Sequence, residues 1–362
     1  MSTPRNASLD GWRAIAVLGV AWLHWSRPEW RGPVPFEIGL YFFLTLTGFL
    51  ITRILLRERD AGEASGGPWR AAALKRFQWR RALRILIPCY AAMLFGLAVG
   101  AGDLRGHPLL YFAQVSNFHL ATLPEGTDGT THYWTLAIQQ QFYLFWPLLV
   151  FLLPRRALAP AFLTAVAMAP LSRLVLLHHF PGIPNPGMIT TSALDFLGGG
   201  SLLALALHRG FDPADNRLRL PVWIAFACYL VLYSFDIRGH PLPGLRHFQQ
   251  TLLTVAMVGL IAASLAGLPG FIERLLGSRP IQHLAKISYS FYLLHNLVPL
   301  ALGWVMPFLW KIDGATGDAT RIVAFGLGSW GLSWLSWRWI EKPIERLRKE
   351  DRIHIRRAQG PS

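Results

Sequence analysis

The feature of this sequence that most constrains its fold is a series of apolar runs, each about as long as a membrane is thick. A helix needs about 20 mostly apolar residues to cross the hydrocarbon core of a bilayer. Helices satisfy their own backbone hydrogen bonds in lipid, so runs of this kind are read as helices. The sequence therefore predicts an all-α polytopic membrane helical bundle with about ten transmembrane helices. The predicted spans are 12–27, 36–56, 84–102, 134–153, 157–178, 190–207, 220–236, 249–268, 286–309 and 322–340.

The composition excludes soluble and disordered chains. Only 15% of the residues are charged, against about 25% in soluble domains, so too few charges are present to cover a water-facing surface. The 15 Trp, 22 Phe and 9 Tyr residues are far too many for a disordered chain. Cys89 and Cys228 lie in apolar runs and indicate neither a disulfide framework nor a cysteine-ligated metal.

The basic residues are distributed unevenly between the connecting segments. If the N-terminus is cytoplasmic, 27 of the 35 Lys and Arg residues fall on the cytoplasmic side. The positive-inside rule predicts this orientation, with both termini in the cytoplasm and the bundle in a bacterial cytoplasmic (inner) membrane. The net charge of +15 therefore reflects topology and contact with the lipid bilayer, and no nucleic-acid partner is expected.

The segments between the spans contain no repeat, no low-complexity tract and no soluble domain. The longest segment, residues 103–133, includes the apolar stretch 108–120, for which we expect a short re-entrant or interfacial helix. We predict one membrane domain, residues 1–341, followed by a basic cytoplasmic tail, residues 342–362.

Arg13 and His24 are ionisable residues of the first span, a type that is rare in membrane helices and is a functional candidate for that reason. Arg13 and His24 lie eleven residues apart, which is about 16 Å along a helix and returns to the same face. Arg13 is expected at the cytoplasmic surface and His24 well inside the membrane. His24 could act as a general base, because histidine titrates near neutral pH. The alternative is an interfacial histidine that donates to a neighbouring carbonyl.

Two further polar groups lie where spans begin. Arg81 and Arg84 are three residues apart on one helix face, and guanidinium forks suit phosphate. Ordinary positive-inside flanking would also place arginines here. Gln139, Gln140 and Tyr143 lie at the start of the fourth span, where they could contact a substrate or bond neighbouring helices.

A polar stripe follows the ninth span. Ser288, Tyr292 and His295 are spaced by four and three residues, which places them on one helix face. Such a stripe faces a cavity or an interhelical hydrogen-bond network rather than lipid. In the sixth span, Asp195 is expected to pair with Arg173 or another buried cation. None of the standard metal-binding motifs is present, and we expect no metal site.

Seven short blocks follow one another in an order that matches one known family. Residues 9–17 are similar to LDGLRAIAV, Arg13 and His24 fit an R-x10-H signature, and Arg81 and Arg84 fit RxxR. The remaining blocks are residues 47–51 (similar to SGFLI), 134–143 (WSLAVEEQFY), 287–295 (SYSLYLWH) and 339–343 (IE(K/R)P). Together the blocks resemble the acyltransferase-3 family of integral membrane O-acyltransferases.

The resemblance implies transfer of a short acyl group, acetyl by default, from acyl-CoA to a hydroxyl of a sugar or a glycosylated small molecule. It implies His24 as the catalytic group, either as general base, which we favour, or as carrier of the acyl group. It places Arg13, Arg81 and Arg84 near the acyl-CoA, a co-substrate rather than a bound cofactor. Candidates for oxyanion or acceptor contacts are Gln139, Gln140, Tyr143, Ser288, Tyr292 and His295.

The chain departs from the family pattern at several positions. Gln139 and Gln140 replace the usual Glu-Glu, and glutamine cannot accept a proton. Tyr41 stands where the family has Asp, and Ala193 where it often has Arg. A catalytically silent member of the family is therefore one alternative. Another is a membrane transporter or flippase. Broken helices paired in two similar halves would favour this alternative, and the sequence shows no such halves.

Overall fold

The computed structural model describes residues 6–124, 126–127, 129–240 and 242–346. Every regular secondary-structure element among these residues is a helix, which confirms the all-α prediction. Two π-helical turns, Ala82–Leu86 and Trp337–Glu341, follow α4 and α17, and short 3-10 turns include Thr131–Tyr133, Pro186–Met188 and Thr190–Ala193. The α-helices are α1 (Ala7–Trp25), α2 (Pro28–Arg31), α3 (Ile38–Ala64), α4 (Trp69–Arg81), α5 (Ile87–Val99), α6 (Gly102–Gly106), α7 (Pro108–Phe112), α8 (Ser116–Ala121), α9 (Trp134–Leu152), α10 (Leu158–His179), α11 (Leu194–His208), α12 (Arg219–Ile237), α13 (Pro243–Ala266), α14 (Gly270–Leu276), α15 (Arg279–Leu294), α16 (Leu297–Val305) and α17 (Gly314–Ser336).

Seven helical segments of the described chain are long and apolar enough to cross a membrane, and each overlaps a predicted span. The segments are Ile38–Ala64, Trp69–Val99, Thr131–Leu152, Arg155–His179, Thr190–His208, Asn216–Ile237 and His247–Ala266. The other three predicted spans fall on α1, on α15 with α16, and on α17. For those three the crossing stays a prediction, as do the total of ten and the orientation of the termini.

The two ends of the bundle differ in character and are named here by the helices that meet there. The basic end is where α1 begins and α3 ends, and the distal end is where α1 ends and α3 begins. The predicted tail begins at the basic end, just after the second π turn. Its first residues, 342–346, are helical, and residues 347–362 lie outside the described residues.

Helices α3 and α11 pack with their backbones in direct contact. A Cβ atom on Gly48 would lie 2.0 Å from the Leu197 carbonyl oxygen, and one on Gly200 would lie 2.0 Å from the Thr45 carbonyl oxygen. The Thr52 hydroxyl of α3 also donates to Ser201 Oγ of α11 at 2.7 Å. Small residues at membrane helix interfaces permit this close approach. The contact fixes α3, which carries one wall of the candidate site.

The predicted ninth span, 286–309, is interrupted rather than continuous, which corrects the sequence-based boundary. Helix α15 ends at Leu294 and α16 begins at Leu297. The indole Nε1 of Trp25, at the end of α1, donates to the His295 carbonyl at 3.1 Å. This bond satisfies one backbone group that the interruption leaves free. The interruption places His295 beside the distal end of α1.

The apolar stretch 108–120 forms two short helices, α7 and α8, rather than one. Gln114, between them, has a left-handed backbone with φ 59°, which ends the first helix. On α8, Asn117 donates to the Met188 carbonyl at 3.1 Å and accepts from Gln141 Nε2 at 2.8 Å. The two helices are therefore held against α9 and the segment that follows α10.

Candidate active site

A cavity of about 830 Å³ lies at the basic end between α1, α3, α9 and α15. We call it the basic cavity. Its charged lining has six basic and three acidic side chains, an excess that favours a polyanionic ligand. The basic residues are Arg13, Arg53, Arg57, Arg81, Arg84 and Lys286, and the acidic residues are Asp10, Glu341 and Glu345.

The structure brings most of the predicted site residues to this cavity. The residues in its lining are Arg13, Arg81, Arg84, Gln139, Tyr143, Ser288 and Tyr292. His24, Gln140 and His295 lie outside the lining. The Arg81 guanidinium lies over the Tyr143 ring at 5.9 Å, and Arg13 Nη1 lies 3.3 Å from Asp10 Oδ1. Aromatic and acidic neighbours therefore hold these two guanidinium groups at the wall.

The three consecutive glutamines of α9 have different environments. Gln139 lines the basic cavity, and its Oε1 accepts from the hydroxyls of Thr47 and Tyr143, each at 3.3 Å. Gln140 Nε2 is buried and has no hydrogen-bond partner among the described residues. Gln141 bonds residues of the α7–α8 region. Interhelical bonding therefore accounts for Gln141, whereas Gln139 is available to a ligand in the cavity.

Tyr292 and Thr135 are the lining residues of α15 and α9 that lie farthest toward the distal end. Their hydroxyl oxygens are 2.6 Å apart, and the Tyr292 hydroxyl also donates to the His132 carbonyl at 2.8 Å. The Tyr292 ring centroid lies 5.3 Å from that of His132 and 5.7 Å from that of His295. Two histidines therefore lie directly behind this wall of the cavity.

His24, His132 and His295 form what we call the histidine cluster. The ring centroid of His295 lies 5.3 Å from that of His24 and 4.7 Å from that of His132, and His24 and His132 are 6.4 Å apart. His132 and His295 are buried, whereas His24 is exposed on the other side of the cluster. The cluster therefore joins the wall of the basic cavity to a surface nearer the distal end.

The hydrogen bonds of His295 define which of its nitrogens is basic. His295 Nδ1 lies 2.8 Å from the Tyr292 carbonyl oxygen, which can only accept, so Nδ1 carries the proton. Its Nε2 then presents a lone pair, and this atom is buried without a partner among the described residues. His132 Nε2 is also buried without a partner in the described structure. The cluster thus offers an unused basic nitrogen on His295.

His132 and Thr135 are two residues beside the site that the sequence did not predict. His132 lies in the 3-10 turn just before α9, and a histidine in a connecting segment is ordinarily solvated. The sequence signal was only that it precedes Trp134, the first residue of a matching block. Its burial depends on α1 and α15, which are distant in the chain, so it could be recognised only in the fold.

A second cavity, of about 390 Å³, lies at the distal end between α3, α9, α12, α13 and the segment that follows α10. We call it the distal pocket. Trp134 lines this pocket and the next residue, Thr135, lines the basic cavity, so the first turn of α9 separates the two. Aromatic and acidic side chains line the distal pocket: Tyr41, Trp134, Tyr229, Tyr233, Glu37 and Asp236.

Two predicted features are found beside the distal pocket. Tyr41, which replaces the family's Asp, accepts a hydrogen bond from Gln250 Nε2 at 3.0 Å. The predicted pairing of Asp195 with Arg173 is confirmed, with 2.8 Å between the carboxylate and Nη2. Arg173 also donates to the Ser192 carbonyl at 2.5 Å. Buried groups of the protein therefore hold this arginine, which gives it a structural role.

Comparison with known proteins agrees with the geometry. The family profile described as "Acyltransferase domain" matches residues 6–338. Peptidoglycan O-acetyltransferase OatA of Listeria monocytogenes is 28% identical over 94% of this chain and 56% of its own length. Putative peptidoglycan O-acetyltransferase YrhL of Bacillus subtilis is 27% identical over 93% of this chain and 54% of its own length.

A third relative, O-acetyltransferase OatA of Staphylococcus aureus, is 24% identical over 96% of this chain and 58% of its own length. The chain thus spans somewhat more than half the length of these curated relatives. No solved structure gives a significant match. The apolar helices and these relatives identify an integral membrane protein of bacterial type. Because the family profile covers nearly all of the described residues, the chain belongs to the acyltransferase-3 family.

Proposed function

We propose that this protein transfers an acetyl or other short acyl group from acyl-CoA to a hydroxyl of a saccharide, with His24 as general base. The observation that carries the proposal is the position of the histidine cluster, directly behind the Tyr292 wall of a strongly basic cavity. The names of the relatives, which describe peptidoglycan O-acetyltransferases, support a saccharide acceptor.

The basic cavity is the proposed site of the donor. Its volume of about 830 Å³ lies within the range of ligand pockets, which is about 300–1,000 Å³. Arginine forks recognise phosphate by bidentate hydrogen bonds, and Arg81 and Arg84 lie together in its wall. The phosphates of CoA would bind these side chains. The pantetheine arm would then extend past apolar residues such as Leu46 and Phe43 toward Tyr292.

The proposed reaction needs one base and no metal. His24 accepts the proton of the acceptor hydroxyl while the hydroxyl oxygen attacks the carbonyl carbon of the thioester. The tetrahedral intermediate then loses the sulfur, and the CoA thiolate recovers the proton from His24. Gln139, Tyr143 and Tyr292 line the cavity beside this path and are the candidates for stabilising the oxyanion. The two tyrosine hydroxyls would first turn away from Gln139 Oε1 and the His132 carbonyl, to which they donate in the structure.

The Gln139–Gln140 pair requires another group to orient His24, and we propose His295 for that role. The free lone pair on His295 Nε2 belongs to a ring whose centroid lies 5.3 Å from that of His24. A rotation of the exposed His24 ring would let one of its nitrogens donate to this atom. The other His24 nitrogen would then face the acceptor as a base. A neutral histidine thereby replaces the carboxylate that other family members provide, and the chain need not be silent.

The distal pocket is the proposed site of the acceptor. Aromatic faces bind the C–H surfaces of sugars, and carboxylates accept hydrogen bonds from sugar hydroxyls. Tyr229, Tyr233 and Trp134 supply the faces, while Glu37 and Asp236 supply the carboxylates. The first turn of α9 lies between this pocket and the basic cavity. Donor and acceptor would thus approach the histidine cluster from opposite ends of the bundle.

The test is a transfer reaction with detergent-purified protein. Acetyl-CoA or propionyl-CoA, labelled in the acyl group, is supplied with peptidoglycan disaccharides, chito-oligosaccharides and glycosylated small molecules. Mass spectrometry then detects O-acylated product. We expect label in a saccharide ester. Acyl-CoA binding without product from any acceptor would favour a silent family member. Absence of acyl-CoA binding, together with solute counterflow in vesicles, would favour a transporter.

A further inference from the structure

A carboxylate and two imidazoles converge near the distal end, away from both cavities. Asp103 lies in α6, His107 follows that helix, and His119 lies in α8. Asp103 Oδ1 lies 3.0 Å from His119 Nε2 and 3.4 Å from His107 Nδ1. The three ligand atoms all lie within 4.8 Å of one another. We propose that Asp103, His107 and His119 bind a zinc ion.

The two distances from Asp103 Oδ1, 3.0 and 3.4 Å, are close to those in the coordination sphere of zinc. Tetrahedral zinc with bonds of about 2.0–2.1 Å places neighbouring ligand atoms about 3.3 Å apart. Two imidazole nitrogens and one carboxylate oxygen are ligands that zinc uses together, with water in the fourth position. His107 is 46% exposed, so water can reach the fourth position. In the described part of the chain, no other three His, Cys, Asp or Glu side chains converge in this way.

A buried tyrosine holds the carboxylate in place. The Tyr111 hydroxyl donates to Asp103 Oδ2, which leaves Oδ1 directed at the two imidazoles. Tyr111 is fully buried, and its hydroxyl oxygen lies 3.0 Å from Thr130 Oγ1. Metal sites use outer partners of this kind to orient their ligands. Asp103 and His107 are also four residues apart, which brings their side chains to the same side of the chain.

The proposed zinc would join α6 to α8 and so tie together the short helices of the distal end. Helix α8 in turn contacts the segment that lines the distal pocket, because Asn117 donates to the Met188 carbonyl. The site has three protein ligands and an open fourth position, so the ion would link these helices without closing its coordination sphere, and the proposal does not depend on acyl transfer. The zinc proposal revises the expectation of no metal site, which rested on the absence of a standard motif in the sequence. Asp103 and His119 come from different helices, so their pairing forms no such motif.

The experiment measures zinc on the full-length protein in detergent, purified with an affinity tag that lacks histidine and then freed of metal with a chelator. Zinc is titrated by competition with a chromogenic chelator, and the thermal midpoint is recorded with and without zinc. We expect about one zinc per chain and a higher thermal midpoint in its presence. Cobalt in place of zinc should give the visible absorption of a four-coordinate ion.

Two variants and one control locate the ion. His119→Ala and Asp103→Asn should bind zinc at least a hundredfold more weakly and lose the thermal shift. Tyr111→Phe should weaken binding about 10- to 100-fold, as loss of an outer partner does. His178→Ala removes an exposed histidine of α10 and should change nothing. The proposal is wrong if the wild type binds no zinc, or if His119→Ala and Asp103→Asn bind it as tightly as the wild type. If these variants fail to fold, the zinc proposal is judged on the wild type alone, by its zinc stoichiometry and its cobalt spectrum.

Discussion

At the scale of single residues, the histidine cluster presents a basic nitrogen that the fold itself does not use. His295 donates through Nδ1 to its own helix, and its Nε2 is buried without a partner among the described residues. An unsatisfied buried polar atom lowers stability and calls for an explanation. The proposed explanation is that His295 Nε2 accepts a hydrogen bond from His24 and orients it. His295 would then act through His24 rather than on the substrates.

For His295→Ala we therefore expect kcat to fall about 100-fold, the lower end of what general-base catalysis contributes. The KM for acyl-CoA should stay unchanged, because His295 does not line the basic cavity. His295→Gln keeps an acceptor oxygen and should recover part of the rate. The measurement is the initial rate of CoA release at several acyl-CoA concentrations. Equal losses in Ala and Gln variants that keep wild-type thermal midpoints would contradict this role.

Many residues that line the basic cavity were predictable at this scale because they stand in helices with readable periodicity. Arg13, Gln139 and Tyr292 lie where their spacing placed them, on faces that meet in one cavity. His132 was not predictable because it lies in a 3-10 turn, where no period defines a face. The distal pocket was not predictable either, since its residues come from elements that are far apart in sequence.

At the scale of helices, the backbone contact between α3 and α11 supports the wall of the basic cavity. Gly48→Ala or Gly200→Ala would bring a methyl group to 2.0 Å from a carbonyl oxygen of the facing helix. Backbone cannot move aside as a side chain can, so we expect the free energy of unfolding to fall by about 1–3 kcal/mol. The measurement is equilibrium unfolding in detergent.

The matched control for this substitution is Gly326→Ala in α17. A Cβ atom there meets nothing within 4 Å, and alanine has the higher helix propensity by about 1 kcal/mol. This variant should therefore be as stable as the wild type or slightly more stable. If Gly48→Ala and Gly200→Ala were as stable as Gly326→Ala, the close packing of α3 on α11 would be wrong.

Helix positions followed from hydropathy, but the ends and interruptions of helices did not. The interruption at His295 lies four residues before Pro299, which has no N–H to donate to the His295 carbonyl and whose ring would clash with it. The bond from the Trp25 indole to the His295 carbonyl stabilises the break, and that partner is 270 residues away. The division of 108–120 into α7 and α8 likewise depends on the left-handed backbone of Gln114. Tertiary contacts and local backbone geometry determine such features, so periodicity alone cannot show them.

At the scale of the whole molecule, the proposed donor site lies at the end of the bundle where basic side chains collect. Six of them line the basic cavity there, and the positive-inside rule predicts that this end is cytoplasmic. Arg81→Ala and Arg84→Ala should each raise the KM for acyl-CoA about tenfold, because one charge-assisted hydrogen bond contributes about 1.5–3 kcal/mol. The KM for the saccharide should not change.

Arg156→Ala is the matched control for these variants. Arg156 is exposed, lies in the connection before α10 and does not line the basic cavity. Its replacement by alanine therefore removes one positive charge without removing a contact to a ligand in the cavity. Steady-state kinetics with varied acyl-CoA separate the two cases. A similar rise in KM for Arg156→Ala would mean that general electrostatic attraction, rather than a phosphate site in the cavity, is responsible.

General-base catalysis by His24 is tested by comparing wild type and His24→Ala in acceptor-dependent release of CoA. We expect release by the wild type that requires a saccharide, and a loss of about 10²–10⁴-fold in the variant, the range of general-base catalysis. The thermal midpoint and acyl-CoA affinity should stay unchanged, because His24 is exposed and lies outside the basic cavity. Undiminished, acceptor-dependent release by His24→Ala would contradict the account.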